Sequence, residues 1–122
     1  MAHYSSFVDL PIWQEARKLT KTIYELTETG KFSKDFGLKQ QIQRASVSMM
    51  SNIAEGFERR SNAEFVNFLN YAKASVGEVR SQLFVALDIN YIKSEAQERL
   101  DQDLEELAAQ IGGFMKYLSG NQ

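Results

Sequence analysis

The chain has 122 residues, 14 Lys/Arg against 16 Asp/Glu, a net charge of −2 and no cysteine. A hydrophobic share of 43% at this length supports one domain with a single core, and the missing thiols exclude disulfides, thiolate zinc sites and cysteine nucleophiles. With a sequence pI near 5.4 the chain is not an evident polyanion binder; no apolar run approaches the ~18 residues of a membrane span; and the first residues lack the basic-then-apolar order of a secretory signal. The expected location is therefore the cytoplasm.

Residues 1–8 and 119–122 read as loose tails, the first holding the single histidine, His3. Asp9 is placed to cap a helix, and Pro11 falls in its first turn, where a missing N–H costs nothing. The first helix is predicted over residues 10–29. Its seam is Ile12, Ala16, Leu19, Ile23 and Leu26, and Gly30 is expected at the C′ position. Ser33 or Asp35 is expected to cap the second helix, predicted over 36–56. Ser61 with Glu64 has the spacing of a capping box, opening a third helix over 61–88. Ser94 with Gln97 repeats that spacing before a fourth helix over 94–118. The fourth seam is Leu100, Leu104, Leu107, Ile111, Phe114 and Leu118, at steps of 4, 3, 4, 3 and 4. Four seams of one period with short connections predict an all-α, antiparallel up-down-up-down four-helix bundle, in a single domain.

The second helix carries two apolar stripes. Leu38, Ile42, Ala45, Met49, Asn52 and Gly56 form one; Val47, Met50, Ile53 and Phe57 form another, about 100° round the helix. On the third helix a strip of small residues, Ala74, Gly77 and Ser81, runs apart from the main seam. Glycine inside a helix costs about 1 kcal/mol against alanine, so Gly77 implies a close neighbour. These two sets are the expected packing surfaces of a homo-oligomer.

Polar residues give two further expectations. If the second and third helices turn at Arg59 and Arg60, facing residues sum to about 119, taking Arg59 and Arg60 as the midpoint of the turn. Arg44 then lies within a turn of Glu78, and the two are expected to pair, partly buried, in a strip with Ser48, Asn52 and Glu55. Such a pair sets register more than it stabilises. Lys31, Lys34 and Lys39 cluster near one loop, and Arg59 and Arg60 mark the next. They are the candidate nucleic-acid contacts, at opposite ends of the bundle. Residues 1–61 hold nine Lys/Arg and seven Asp/Glu, and residues 62–122 hold five and nine.

Much catalytic chemistry is missing. A di-iron bundle needs inward Glu-x-x-His motifs, and haem and Ser-His-Asp chemistry need histidine. No phosphate-binding glycine motif is present. The reading is a protein that is not an enzyme, without cofactor, metal or small-molecule substrate.

Three stretches in order carry a family resemblance. They are DLPIWQEARKLT at 9–20, FGLKQQIQRASVSMMSNIAEG at 36–56 and SNAEFVNFLNYAKASVGEV at 61–79. Together with the closing amphipathic helix they resemble the four-helix-bundle proteins of the 23S rRNA-intervening-sequence type. The most specific part is the core from Gln41 to Gly56. The resemblance implies an antiparallel bundle, association into pentameric rings and no established enzymatic activity. It also implies kinship with accessory proteins of diversity-generating retroelements, which bind RNA and a reverse transcriptase. That branch is strongly basic and this chain is acidic. The sequence reading is thus an oligomeric interaction or scaffold protein whose partner is RNA or a ribonucleoprotein. Its rivals are an RNA-binding accessory protein and a small-ligand binder or enzyme.

Overall fold

The computed structural model describes residues 4–120. Four helices follow one another: α1 (Pro11–Thr27), α2 (Phe36–Phe57), α3 (Asn62–Asp88) and α4 (Ser94–Gly120). Each packs on its sequence neighbour and α4 returns beside α1, which is the up-down bundle. The tight pairs are α2 with α3 and α3 with α4; α1 and α4 meet most loosely.

The heptad-like seams form the core. Ile23, Ile42, Met49, Ile53, Leu69, Leu83, Leu104, Leu107 and Ile111 are fully buried. Burying such side chains contributes about 1.5–3 kcal/mol each, before chain entropy is offset. Phe32 fills the end of the bundle from the α1–α2 connection and packs its ring on Tyr91, 5.3 Å between centroids. Leu26, Leu38 and Phe114 line the core from half-buried positions.

Helix ends differ from expectation in several places. Within the N-terminal segment expected to be loose, Ser6 caps a 3₁₀ turn, Phe7–Asp9. Phe7 meets the Trp13 ring edge-on at 5.1 Å, an apolar anchor that the tail reading overlooked. Residues 1–3, including His3, and residues 121–122 lie outside the described part. Asp9 ends this turn and caps nothing; the residue before α1 is Leu10, with Pro11 at the first helical position as expected. α1 stops at Thr27 with Glu28 as its cap, so the C′ position falls on Thr29 and not on Gly30 as expected; Gly30 takes the left-handed conformation (φ 57°) one residue further on, opening a second 3₁₀ turn, Gly30–Lys34.

Asp35 caps α2, accepting from the Leu38 N–H at 3.1 Å, while the Ser33 hydroxyl turns back to the Gly30 carbonyl. Ser61 caps α3 through the Glu64 N–H and donates its own proton to the Glu64 carboxylate. α3 ends in a Schellman arrangement: Tyr91 N–H to Ala86 C=O and Asn90 N–H to Leu87 C=O, with Asn90 at φ 64°. At α4 the Gln97 N–H bonds the Lys93 carbonyl, so Ser94 is already the first helical residue and not the cap.

Candidate interaction surfaces

Three of the four seams between neighbouring helices carry polar latches. Between α1 and α2, the buried Thr20 hydroxyl lies 3.0 Å from the Ser46 carbonyl, and Gln43 donates to Thr27 at 2.9 Å. Lys39 reaches Glu28 at 2.9 Å, and this contact, first through its hydrogen bond, holds the Glu28 carboxyl below its ordinary pKa. Between α2 and α3, the Ser75 hydroxyl donates to Ser48 at 2.9 Å, and Asn52 donates to both the hydroxyl and the carbonyl of Ser48. Between α3 and α4, Arg80 grips Asp101 with two hydrogen bonds, at 2.7 and 3.2 Å, and lies 3.6 Å from Glu105. That hydrogen bonding to Asp101 raises the Arg80 pKa, so the guanidinium stays charged. Across the bundle end, the Tyr91 hydroxyl donates to Asp35 at 2.9 Å.

The expected polar strip is divided by the structure. Ser48 and Asn52 do sit in the α2/α3 seam, joined by Ser75. Arg44, Glu55 and Glu78 are exposed, and among the described residues no ion pair joins Arg44 to Glu78. Helix rotation explains this. Arg44 lies about 40° outward of Ser48 and Glu78 about 60° outward of Ser75, at 100° per residue. The levels are also shifted, since it is Ser48 that meets Ser75, about one turn from the expected register. Glu78 instead accepts from Gln82 at 3.4 Å. The Gln82 Oε1 is buried with no hydrogen-bond partner among the described residues.

The five basic candidates do not form one tract. Lys31 and Lys34 are exposed on the α1–α2 connection, and Lys39 is engaged by Glu28. At the other end the Arg59 guanidinium lies over the Phe68 ring, 4.5 Å from its centroid, and Arg60 is exposed.

The candidate packing surfaces also split. Ile53 is wholly buried in the protomer's own core, while Met50 and Phe57 are half-buried against it. Phe57 meets the Phe65 ring of α3 edge-on at 6.1 Å, so this second stripe is largely consumed inside the bundle, leaving Val47 on the surface at 39% exposure. The strip on α3 is different. Ala74, Gly77 and Ser81 are exposed, and a Cβ at Gly77 would meet no atom within 4 Å. Within the protomer Gly77 therefore has no close neighbour, contrary to the expectation. It is Gly56 that is crowded: a Cβ there would stand 2.7 Å from the Phe65 ring and 2.8 Å from Phe68. Tyr71 (56%), Phe84 and Val85 (46% each) flank the α3 strip.

The α1/α4 seam is open. A cleft of about 350 Å³ is lined by Lys18, Leu19, Thr22, Arg99, Leu100 and Asp103. Further down, Glu15 and Gln110 border a second cleft, and Pro11, Ile12 and Phe114 a third. No hydrogen bond or ion pair spans this seam among the described residues. Sequence reading missed both this gap and the Arg80–Asp101 latch. The latch had a signal: Arg80 is the one arginine of the third helix, opposite a fourth helix with Asp101 and Glu105 four residues apart.

Among the described residues no three His, Cys, Asp or Glu side chains gather where a metal ion would sit, and no helix is long and apolar enough to cross a membrane. Comparison with known proteins agrees with this architecture. No curated protein matches the chain. A crystal structure of a protein of unknown function from the S23 ribosomal protein family of Bacteroides thetaiotaomicron is similar. It has 25% sequence identity and a TM-score of 0.79 over 86% of this chain and 98% of that one. Residues 8–113 match the 23S rRNA-intervening sequence proteins, and the chain belongs to that family.

Proposed function

We propose that this protein is a non-enzymatic scaffold that works as a homo-oligomer, with a pentameric ring as the favoured form. One observation carries the reading. The outer face of α3 keeps Tyr71, Phe84 and Val85 in solvent beside a strip whose glycine has open space above it. Exposed apolar surface that runs along one helix face marks an interaction site when a second surface can cover it as a single patch. The small side chains lower the ridge, so another helix can approach closely. No cofactor, metal or small-molecule substrate enters this reading, and the expected location is cytoplasmic.

The test is light scattering at micromolar concentration. The expected mass is about five times 13.9 kDa; a mass of one chain overturns the proposal. RNA contact is the second reading, favoured by the exposed Lys31 and Lys34, which ring formation would repeat around one end. Its measurement is binding to structured RNA against salt. Phosphate contacts require affinity that falls as salt rises, and undetectable binding at low salt removes this reading.

A further inference from the structure

We propose that residues 113–120, the last two turns of α4, form a flap that swings as one unit on the glycine pair 112–113 and opens the apolar cleft beside Pro11 and Phe114. This motion belongs to the single chain and needs no association between copies.

The glycines carry the first half of the argument. Each glycine inside a helix lowers the helical population about fivefold relative to alanine. At Gly56 packing explains the residue, since Phe65 and Phe68 leave no room for a Cβ. At the pair it does not. A Cβ on Gly113 would meet no atom within 4 Å, and one on Gly112 only the Lys73 ammonium, at 3.7 Å, an ordinary contact. Neither glycine has a positive φ. Packing and backbone conformation would both accept alanine here, so what the pair supplies is freedom to bend.

The grip on α4 changes at the same point. Before the pair, Leu100, Leu104, Leu107 and Ile111 are buried turn after turn, and Arg80 holds Asp101. After it, Leu118 is the one buried side chain among the described residues, while Phe114 and Met115 are half-buried and Lys116, Tyr117 and Ser119 exposed. Among the described residues no side-chain hydrogen bond or ion pair holds residues 112–120. A segment with few buried apolar contacts, set off by a weak point in its own helix, is the kind that opens locally while the rest stays folded.

Phe114 is what the motion displaces. Its ring meets Phe65 edge-on at 5.4 Å and walls a cleft of about 220 Å³ shared with Tyr4, Leu10, Pro11, Ile12 and Gln110. Swinging the flap out removes that wall, bares Phe65 and opens the α1/α4 seam from the end where α1 begins. The opposite end stays shut, because Tyr91 packs on Phe32 and donates to Asp35 there. Burial of Leu118 and Phe114 favours the closed form, so the open form is the minor state of a two-state equilibrium.

Hydrogen exchange of the full chain, read amide by amide, tests this. In the wild type the amides of residues 114–120 are expected to share one opening constant and to exchange faster than those of 104–111. The Gly112→Ala/Gly113→Ala double variant has room for both methyls and is expected to slow all of 114–120 together, about 25-fold for two fivefold effects. Phe114→Ala is expected to speed the amides of 115–120 at least about tenfold. Fraying from the chain end gives a different result: a graded profile in which the amides of 118–120 are indifferent to the two alanines, because they open while 112–113 stay helical. That profile overturns the proposal, and so does exchange of 114–120 as slow as that of 104–111. Amides unmoved by Phe114→Ala overturn the role of that ring in closing the flap.

Discussion

The α2/α3 seam and the α1/α4 seam are opposite sides of one bundle, built to opposite standards. In the first, Gly56 brings the backbone of α2 against Phe65 and Phe68, and Ser75 closes it with one hydrogen bond to Ser48, a side chain that Asn52 holds from the same helix. In the second, facing residues carry charge or length, among them Glu15, Lys18, Arg99, Asp103 and Gln110, and leave clefts between them. Both seams cover the same core. What differs is how far the residues outside the core let the helices approach.

The largest effect that separates the two seams is expected at the glycines. Gly56→Ala forces Phe65 or the α3 backbone to move, and overpacking of this kind costs about 1–3 kcal/mol. The gain in helix propensity, about 1 kcal/mol, offsets part of it. Gly77→Ala meets nothing and keeps the propensity gain, so it is expected to stabilise the isolated protomer by up to about 1 kcal/mol. Urea titration of the two variants should give midpoints on opposite sides of wild type. Equal shifts would mean that α2 and α3 are not in close contact at Gly56.

The next effect lies in a flaw of the tight seam. A buried acceptor without a partner costs about 1–3 kcal/mol, and Gln82 Oε1 is such an acceptor. Gln82→Leu removes it and keeps the volume, at the expense of a long contact to Glu78. It is expected to raise stability by about 1 kcal/mol in the same titration. A fall would show that the amide is satisfied in solution.

What could be read from the sequence follows the same division. The seams of α1 to α4 were legible because a period near 3.5 is written into residue type, and Ile12, Ile42, Leu69 and Leu104 are buried as that period requires. Asp35 and Ser61 as caps were legible because capping needs one side chain at one local spacing. The Arg44–Glu78 pairing failed because facing across a seam depends on rotation, and 40° to 60° separates a latch from a surface charge. Ile53 failed as an oligomer contact for a related reason. A second stripe on a helix does not say whether its partner is in the same chain, and here the protomer's own core takes Ile53. The gap between α1 and α4 leaves no local trace, because it is set by how side chains of two distant segments fill one space.

A smaller effect is expected at the end of the bundle, where Tyr91 and Asp35 tie the α3–α4 turn to the start of α2. Hydrogen bonding from the Leu38 N–H, then from Tyr91, holds the Asp35 pKa below its usual value, and the bond to Asp35 raises that of Tyr91. The lowered carboxyl contributes stability above about pH 3.9, lost as pH falls through its folded pKa. The raised phenol contributes below about pH 10, lost as pH rises through its folded pKa. Melting temperature should therefore be flat between these limits with respect to this contact and fall on both sides. Tyr91→Phe should lower the plateau and remove this phenol's part of the alkaline fall. An alkaline limb unchanged in the variant would mean that the hydroxyl does not hold Asp35.

The smallest effect is expected in the open seam. Gln110→Ala removes a side chain that borders two clefts and makes no hydrogen bond within the described residues. Nothing there is unburied that was buried, and nothing loses a partner, so the protomer's stability should move by less than about 0.5 kcal/mol. Ser75→Ala, which breaks the one hydrogen bond between side chains of α2 and α3 among the described residues, should cost about 1 kcal/mol by comparison. Urea titration of the two variants at one protein concentration separates them, and equal losses would mean that Ser75 and Ser48 are not bonded in solution.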